Sequence, residues 1–184
     1  LLSAIDFLYL GFIFCAAFAA FIIFYFVNSR LHLVYGLYAI AFALTICSQQ
    51  GILFQFITPD SPAIHNWSQL YLSSFTTSLA AYFCHLFLKL SPLTIGSRLI
   101  KQLILLPILI LVFSPLIGYS MAIKAIVACT IFTILCCFGI GMHVKATSEN
   151  YFKQQAKTFL FAWTFLFCGA LVFLLTKIGS LPFN

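Results

Sequence analysis

Six long apolar runs fill this chain of 184 residues, and seven of its nine Lys and Arg residues fall in every other gap between them. Arg30 follows the first run, Lys89, Arg98 and Lys101 follow the third, and Lys145, Lys153 and Lys157 follow the fifth. The gaps after the second and fourth runs hold only Lys124, and the end of the sixth holds only Lys177. Cationic loops are retained on the cytoplasmic side of a membrane, so this alternation orients a set of spanning helices. A span needs about 20 mainly apolar residues. The runs at about 7–27, 33–50, 70–88, 99–117, 121–142 and 158–176 meet that need. The pattern predicts an all-α, multi-pass helical bundle in the inner (cytoplasmic) membrane, forming one transmembrane domain over 1–184. Its N-terminus is extracytoplasmic, and its last residues, near Asn184, are outside.

Composition agrees with that class. Hydrophobic residues make up 64% of the chain and charged residues 7%, against about 25% charged in soluble domains. In a soluble chain the net charge of +6 would point to nucleic acid. Here the cations sit in short loops at helix ends, where they orient helices and meet anionic headgroups. The lipid bilayer is therefore the expected partner, and nucleic acid is not. The chain opens on Leu1 without a cationic n-region or a small-residue cleavage site, so the first run is not read as a signal peptide. It reads as the core of something longer.

The expected outer segments are Gly51–Ser68, a tight turn at Gly118–Ser120, and Ile178–Asn184. The first of these carries Pro59-Asp60-Ser61-Pro62, a turn signature. Its aromatic residues Phe54, Phe56 and Trp67, with Tyr71 just beyond, suit the membrane–water interface.

Residues that could carry chemistry are few. The cysteines (Cys15, Cys47, Cys84, Cys129, Cys136, Cys137 and Cys168) all fall inside expected helices and form no C-x-x-C pair. They read as small apolar residues, with neither disulfide nor metal expected. Only His85 lies well inside a run, so the paired axial histidines of a haem bundle are lacking, and no cofactor is expected. Asp6, Asp60 and Glu149 are the only acids, all near or beyond the interfaces. Ion-coupled pumps carry charge on buried ionisable groups, and nothing here resembles a catalytic constellation. The segment is expected to have no enzymatic activity.

The third run is the most polar. At about 100° per residue, its Ser74, Ser78, Tyr82 and His85 share an arc of roughly 80°. Such a stripe should face protein or water, because unpaired polar groups are costly in hydrocarbon. It is either interhelical packing glue or a seam that re-pairs when helices shift. Small residues recur four apart at Ala16/Ala20, Ala39/Ala43 and Cys137/Gly141, a spacing that permits close helix approach. Pro107 and Pro115 in the fourth run each remove a backbone donor and mark a candidate hinge.

An ordered set of short motifs adds a resemblance. It begins with Asn28-Ser29-Arg30-Leu31-His32 and Tyr35-Gly36-Leu37-Tyr38, then Gln50-Gly51-Ile52-Leu53-Phe54-Gln55-Phe56 and Pro59-Asp60-Ser61-Pro62. It continues with Ala156-Lys157-Thr158-Phe159-Leu160, Ala162-Trp163, Gly169 and Gly179-Ser180-Leu181-Pro182. Together these resemble the membrane domain of bacterial seven-transmembrane receptors with diverse intracellular signalling modules (7TMR-DISM). The resemblance implies the membrane core of a signalling receptor, coupling an extracytoplasmic input to a cytoplasmic output of the diguanylate cyclase (cyclic di-GMP) or histidine kinase (two-component) type. It also implies three partners outside this chain: a seventh helix, a sensory domain before the first run and an output module after the last. A homodimer is left open. The rival reading is a transporter or channel-like subunit, or a structural subunit of a larger membrane complex.

Overall fold

The computed structural model describes residues 4–56, 61–91, 93–147 and 152–164. Its helices are α1 (Ala4–Val27), α2 (Arg30–Gln49), α3 (Ile52–Phe56), α4 (Pro62–Phe87), α5 (Ile95–Ile117) and α6 (Tyr119–Thr147). A last helical stretch occupies 152–164. The expected Pro59-Asp60 turn, Glu149, and everything from residue 165 onward, including Cys168, Lys177 and the Gly179–Pro182 motif, lie outside the described residues.

The connections follow from local chemistry. Between α1 and α2 the chain reverses at Asn28, whose φ of 51° is left-handed, a conformation that asparagine tolerates better than most side chains. Its N–H donates to the Phe24 carbonyl at 2.7 Å. Pro62 sits in the first turn of α4, where its missing N–H is no loss. Thr94 caps α5 by accepting the Ser97 N–H at 3.3 Å. A single residue, Gly118, joins α5 to α6, and its φ of 77° needs glycine.

Several helices begin earlier than the apolar runs. α2 starts at Arg30 instead of 33, α5 at Ile95 instead of 99, and α6 covers Tyr119–Thr147 instead of 121–142. The last stretch is helical from 152 rather than 158. The largest correction concerns Gly51–Ser68. Most of it is helix, split between α3 and the first turns of α4, so Trp67 packs beside Leu70 and Ile126 instead of lying in a loop. An apolar run marks only the stretch that must be dry. Helical hydrogen bonding continues past it wherever the backbone has no better partner.

α1 packs on α2, α2 on α4, α4 on both α5 and α6, and α5 on α6. The start of α2 with Arg30, the turn with Lys89 and the end of α6 with Lys145 lie at one end of the bundle, and α3 and Gly118 lie at the other. Among the described residues α1, α2, α5 and α6 are long and apolar enough to cross a membrane on length and composition alone. α4 is more polar, yet its 26 residues make it about 39 Å long at 1.5 Å per residue. It is the central helix. The outer helices turn large apolar side chains outward, as α1 does with Phe12, Phe18 and Phe26, which suits a lipid solvent. The fold is a polytopic all-α membrane bundle.

Close approach is set by small residues. A Cβ on Gly36 would come within 3.0 Å of the Phe21 ring, and one on Gly141 within 3.0 Å of Phe159. Ala20, Ala39, Ala43 and Cys137 are buried, as their spacing implied, whereas Ala16 is only partly covered.

Candidate functional site

α4 has protein on several sides, and its polar side chains use them. Thr76 pairs its hydroxyl with Thr45 of α2 at 2.9 Å. Thr77 pairs with Thr130 of α6 at 2.8 Å. Ser78 donates to the Ile104 carbonyl of α5 at 3.0 Å. Successive helical residues point about 100° apart, so three in a row reach three different neighbours. Nearer the α3 end, Ser68 approaches Ser48 of α2 at 3.4 Å, and Tyr119 of α6 donates to Gln69 at 3.0 Å.

The Thr77–Thr130 pair carries more contacts than it has protons. Thr77 can also donate to the Ser73 carbonyl at 2.9 Å, and Thr130 to the Ile126 carbonyl at 2.9 Å. A hydroxyl donates once. Two protons therefore serve three acceptor positions, and either threonine can be the one that reaches across. Thr45 differs: it donates to the Ala41 carbonyl at 2.8 Å while its oxygen can accept from Thr76, so that pair has a proton for each contact.

The stripe of Ser74, Ser78, Tyr82 and His85 does not act as one unit. Ser74 is buried but donates to Leu70 of its own helix at 2.8 Å, and only Ser78 reaches another helix directly. Tyr82 is exposed, which corrects the expectation that all four face protein. His85 is half-buried, with no hydrogen-bond partner at Nδ1 among the described residues. Thr76 and Thr77 were visible as polar residues, but a single-arc criterion discards them. That criterion assumes one protein-facing side, whereas a central helix is contacted all round. Their partners Thr45 and Thr130 carry no sequence signal of pairing.

The two prolines of α5 differ. Pro107 is fully buried and Pro115 is exposed. Pro107 cannot bond the Leu103 carbonyl, and the next carbonyl along is the one that accepts Ser78. Pro115 likewise leaves the Leu111 carbonyl without its helical donor, and the Ser114 hydroxyl supplies one within α5 itself.

Toward the cation-rich end α4 changes character. Tyr38 of α2 stacks on Phe83 at 6.5 Å, Phe83 meets Phe87 at 5.5 Å, and Phe87 meets Phe159 of the last stretch at 5.6 Å. Phe159 continues to Trp163 at 5.2 Å. Aromatic contacts thus run unbroken from α2 through α4 to the last stretch. Gln155 adds a bond from Nε2 to the Phe87 carbonyl at 2.7 Å, satisfying a backbone group at the end of α4 that has no helical partner.

The model of the family described as 7TM diverse intracellular signalling matches residues 2–184. The chain belongs to this family. It is a membrane signalling receptor domain, and the 7TM domain of such receptors is not itself catalytic. Neither a curated protein nor a solved structure matches the chain. The motif that carried the resemblance acquires a physical reading in this 7TM domain. Ala156, Phe159 and Trp163 recur on one face of the last stretch, all buried in the core shared with Cys84, Ile100 and Cys137. Among the described residues no group of three metal-ligating side chains occurs.

Proposed function

We propose that this domain lies in the bacterial inner membrane with its N-terminus extracytoplasmic, and couples an outer input to a cytoplasmic output module. The alternation of Lys and Arg supports the orientation, since it puts the α3 end outside and the cation-rich end at the cytoplasm. By family resemblance the output is a diguanylate cyclase or a histidine kinase, reached through a seventh helix, with a sensory domain on the outer side.

One observation carries the coupling reading: Thr76, Thr77 and Ser78 bond three different helices, and the Thr77–Thr130 pair has more hydrogen-bond contacts than protons. A signal needs two packings of nearly equal free energy, whose balance an input can shift. Hydrogen bonds between membrane helices contribute about 0.6 kcal/mol on average and rarely exceed about 1.7 kcal/mol. Exchanging one for a backbone bond therefore lies within reach of a ligand's differential affinity. Moving α4 against α6 also moves Phe83 and Phe87, and with them the aromatic contacts to the last stretch.

The test is Thr77→Val in the full-length receptor, with basal output and membrane abundance measured together. Output per molecule should change severalfold while abundance stays near wild type. Unchanged output per molecule with reduced abundance would make the hydroxyls packing alone.

A further inference from the structure

At the cation-rich end, the α4–α5 turn, the first turn of α5, the end of α6 and the start of the last stretch enclose an open cleft of about 720 Å³. The coupling scheme does not use it. Leu93, Ile95, Leu99 and Ile140 are among the apolar residues of its walls, and Leu93 and Ile95 remain 85% and 78% exposed. Large aliphatic side chains left open beside a cleft are costly in water and ordinary against an acyl chain. Lys89 and His143 stand among the same lining residues. In the segments at this end Glu149 is the only acid, against seven Lys and Arg. The cleft lies where α4 and α6 end and α5 begins, and in a bilayer the cation-rich end of a spanning bundle falls at the depth of phospholipid headgroups.

An aliphatic wall with a basic rim at that depth matches one ligand chemistry: an acyl chain ending in an anionic phosphate headgroup. Basic pockets between membrane helices hold such headgroups in this way. We propose that the cleft binds one anionic phospholipid from the leaflet on that side, with its phosphate at Lys89 and His143 and a chain against Leu93, Ile95 and Ile140. An acidic protein segment would match the charge of the rim but leave the aliphatic wall unmatched. The proposal stands apart from the coupling scheme and survives if that scheme fails.

The experiment uses the full-length protein in neutral detergent, stripped of lipid and titrated with phosphatidylglycerol or phosphatidylethanolamine under native mass spectrometry. One phosphatidylglycerol should be retained about tenfold more tightly than phosphatidylethanolamine. Lys89→Gln should weaken it about fivefold, the effect of one cation near a headgroup. Lys124→Gln, at the other end of the bundle, should not weaken it. Gly139→Leu gives a fold-preserving block. Gly139 lines the cleft, a Cβ there meets nothing within 4 Å, and leucine is the better helix former. Gly139→Leu should abolish retention at unchanged thermal stability. Equal retention of the two lipids, or wild-type retention by Gly139→Leu, overturns the site. So does tighter binding of a polyglutamate peptide than of phosphatidylglycerol, which would make the cleft a docking surface for acidic protein.

Discussion

The two halves of α4 hold the bundle together by different physics. From Ser68 to Ser78 the helix meets its neighbours through hydroxyl and amide hydrogen bonds, spread over α2, α5 and α6. From Ala81 to Leu88 it meets them through a sealed apolar core joined by aromatic rings, with Gln155 as the polar exception. Packing of that second kind has few alternatives, because interiors are close-packed and a displaced ring leaves a void. A hydroxyl can change acceptor at little cost. The contrast assigns rigidity to the cation-rich half and adjustability to the half nearer α3.

The all-or-none test asks which half faces outward. Ser91 and Ser120 are exposed at opposite ends. In a background with the native cysteines replaced, Ser120→Cys should react fully with an impermeant reagent on intact cells, and Ser91→Cys should not. The reverse pattern would turn the bundle over and, with it, the direction of signalling.

The largest energetic effect is expected in the aromatic half. Phe159 is 2% exposed, and its ring contacts both Phe87 and Trp163. Phe159→Ala should cost about 3–5 kcal/mol, the usual range for removing a buried phenyl group, read from unfolding in mixed micelles. A cost below about 1 kcal/mol would show that this half is not the rigid one, since buried large-to-small changes normally exceed that.

The polar half should respond more weakly and with coupling. Thr45→Val and Thr76→Val should each cost about 0.6 kcal/mol, and the double variant should cost less than the sum of the two. Strict additivity would mean that the 2.9 Å contact carries no energy of its own. The smallest effect is expected at Tyr82, whose hydroxyl makes no hydrogen bond recorded among the described residues and whose ring is exposed. Tyr82→Phe should stay within about 0.5 kcal/mol of wild type. A larger loss would return Tyr82 to the seam from which the fold excludes it.

Class and family were legible in the chain itself, for identifiable reasons. Hydrocarbon tolerates few backbone solutions, so a long apolar run such as 99–117 has little choice but to be helical. Charges retained in loops encode the order of helix ends. The glycine turn at Gly118 was legible because a left-handed φ there all but requires that residue. The motif ending in Trp163 was legible only as part of the family resemblance, and the structure shows that its Ala156, Phe159 and Trp163 share one buried face.

Partnering was decided by the tertiary structure alone. Nothing in the order of residues states that Thr77 meets Thr130, 53 positions away, or that Ser78 meets a carbonyl beside a buried proline. The polar content of α4 was plain, but its meaning depended on how many helices surround it. One protein-facing side would have left a single usable stripe, Ser74 to His85. With neighbours nearly all round, Thr76, Thr77 and Ser78 each found a different one, and Tyr82 was left facing out. Periodicity along a helix records which residues share a direction. Which directions hold protein is set by the positions of the other helices, and those follow from close approach at residues such as Gly36 and Gly141, whose lack of a side chain matters only once Phe21 and Phe159 stand opposite.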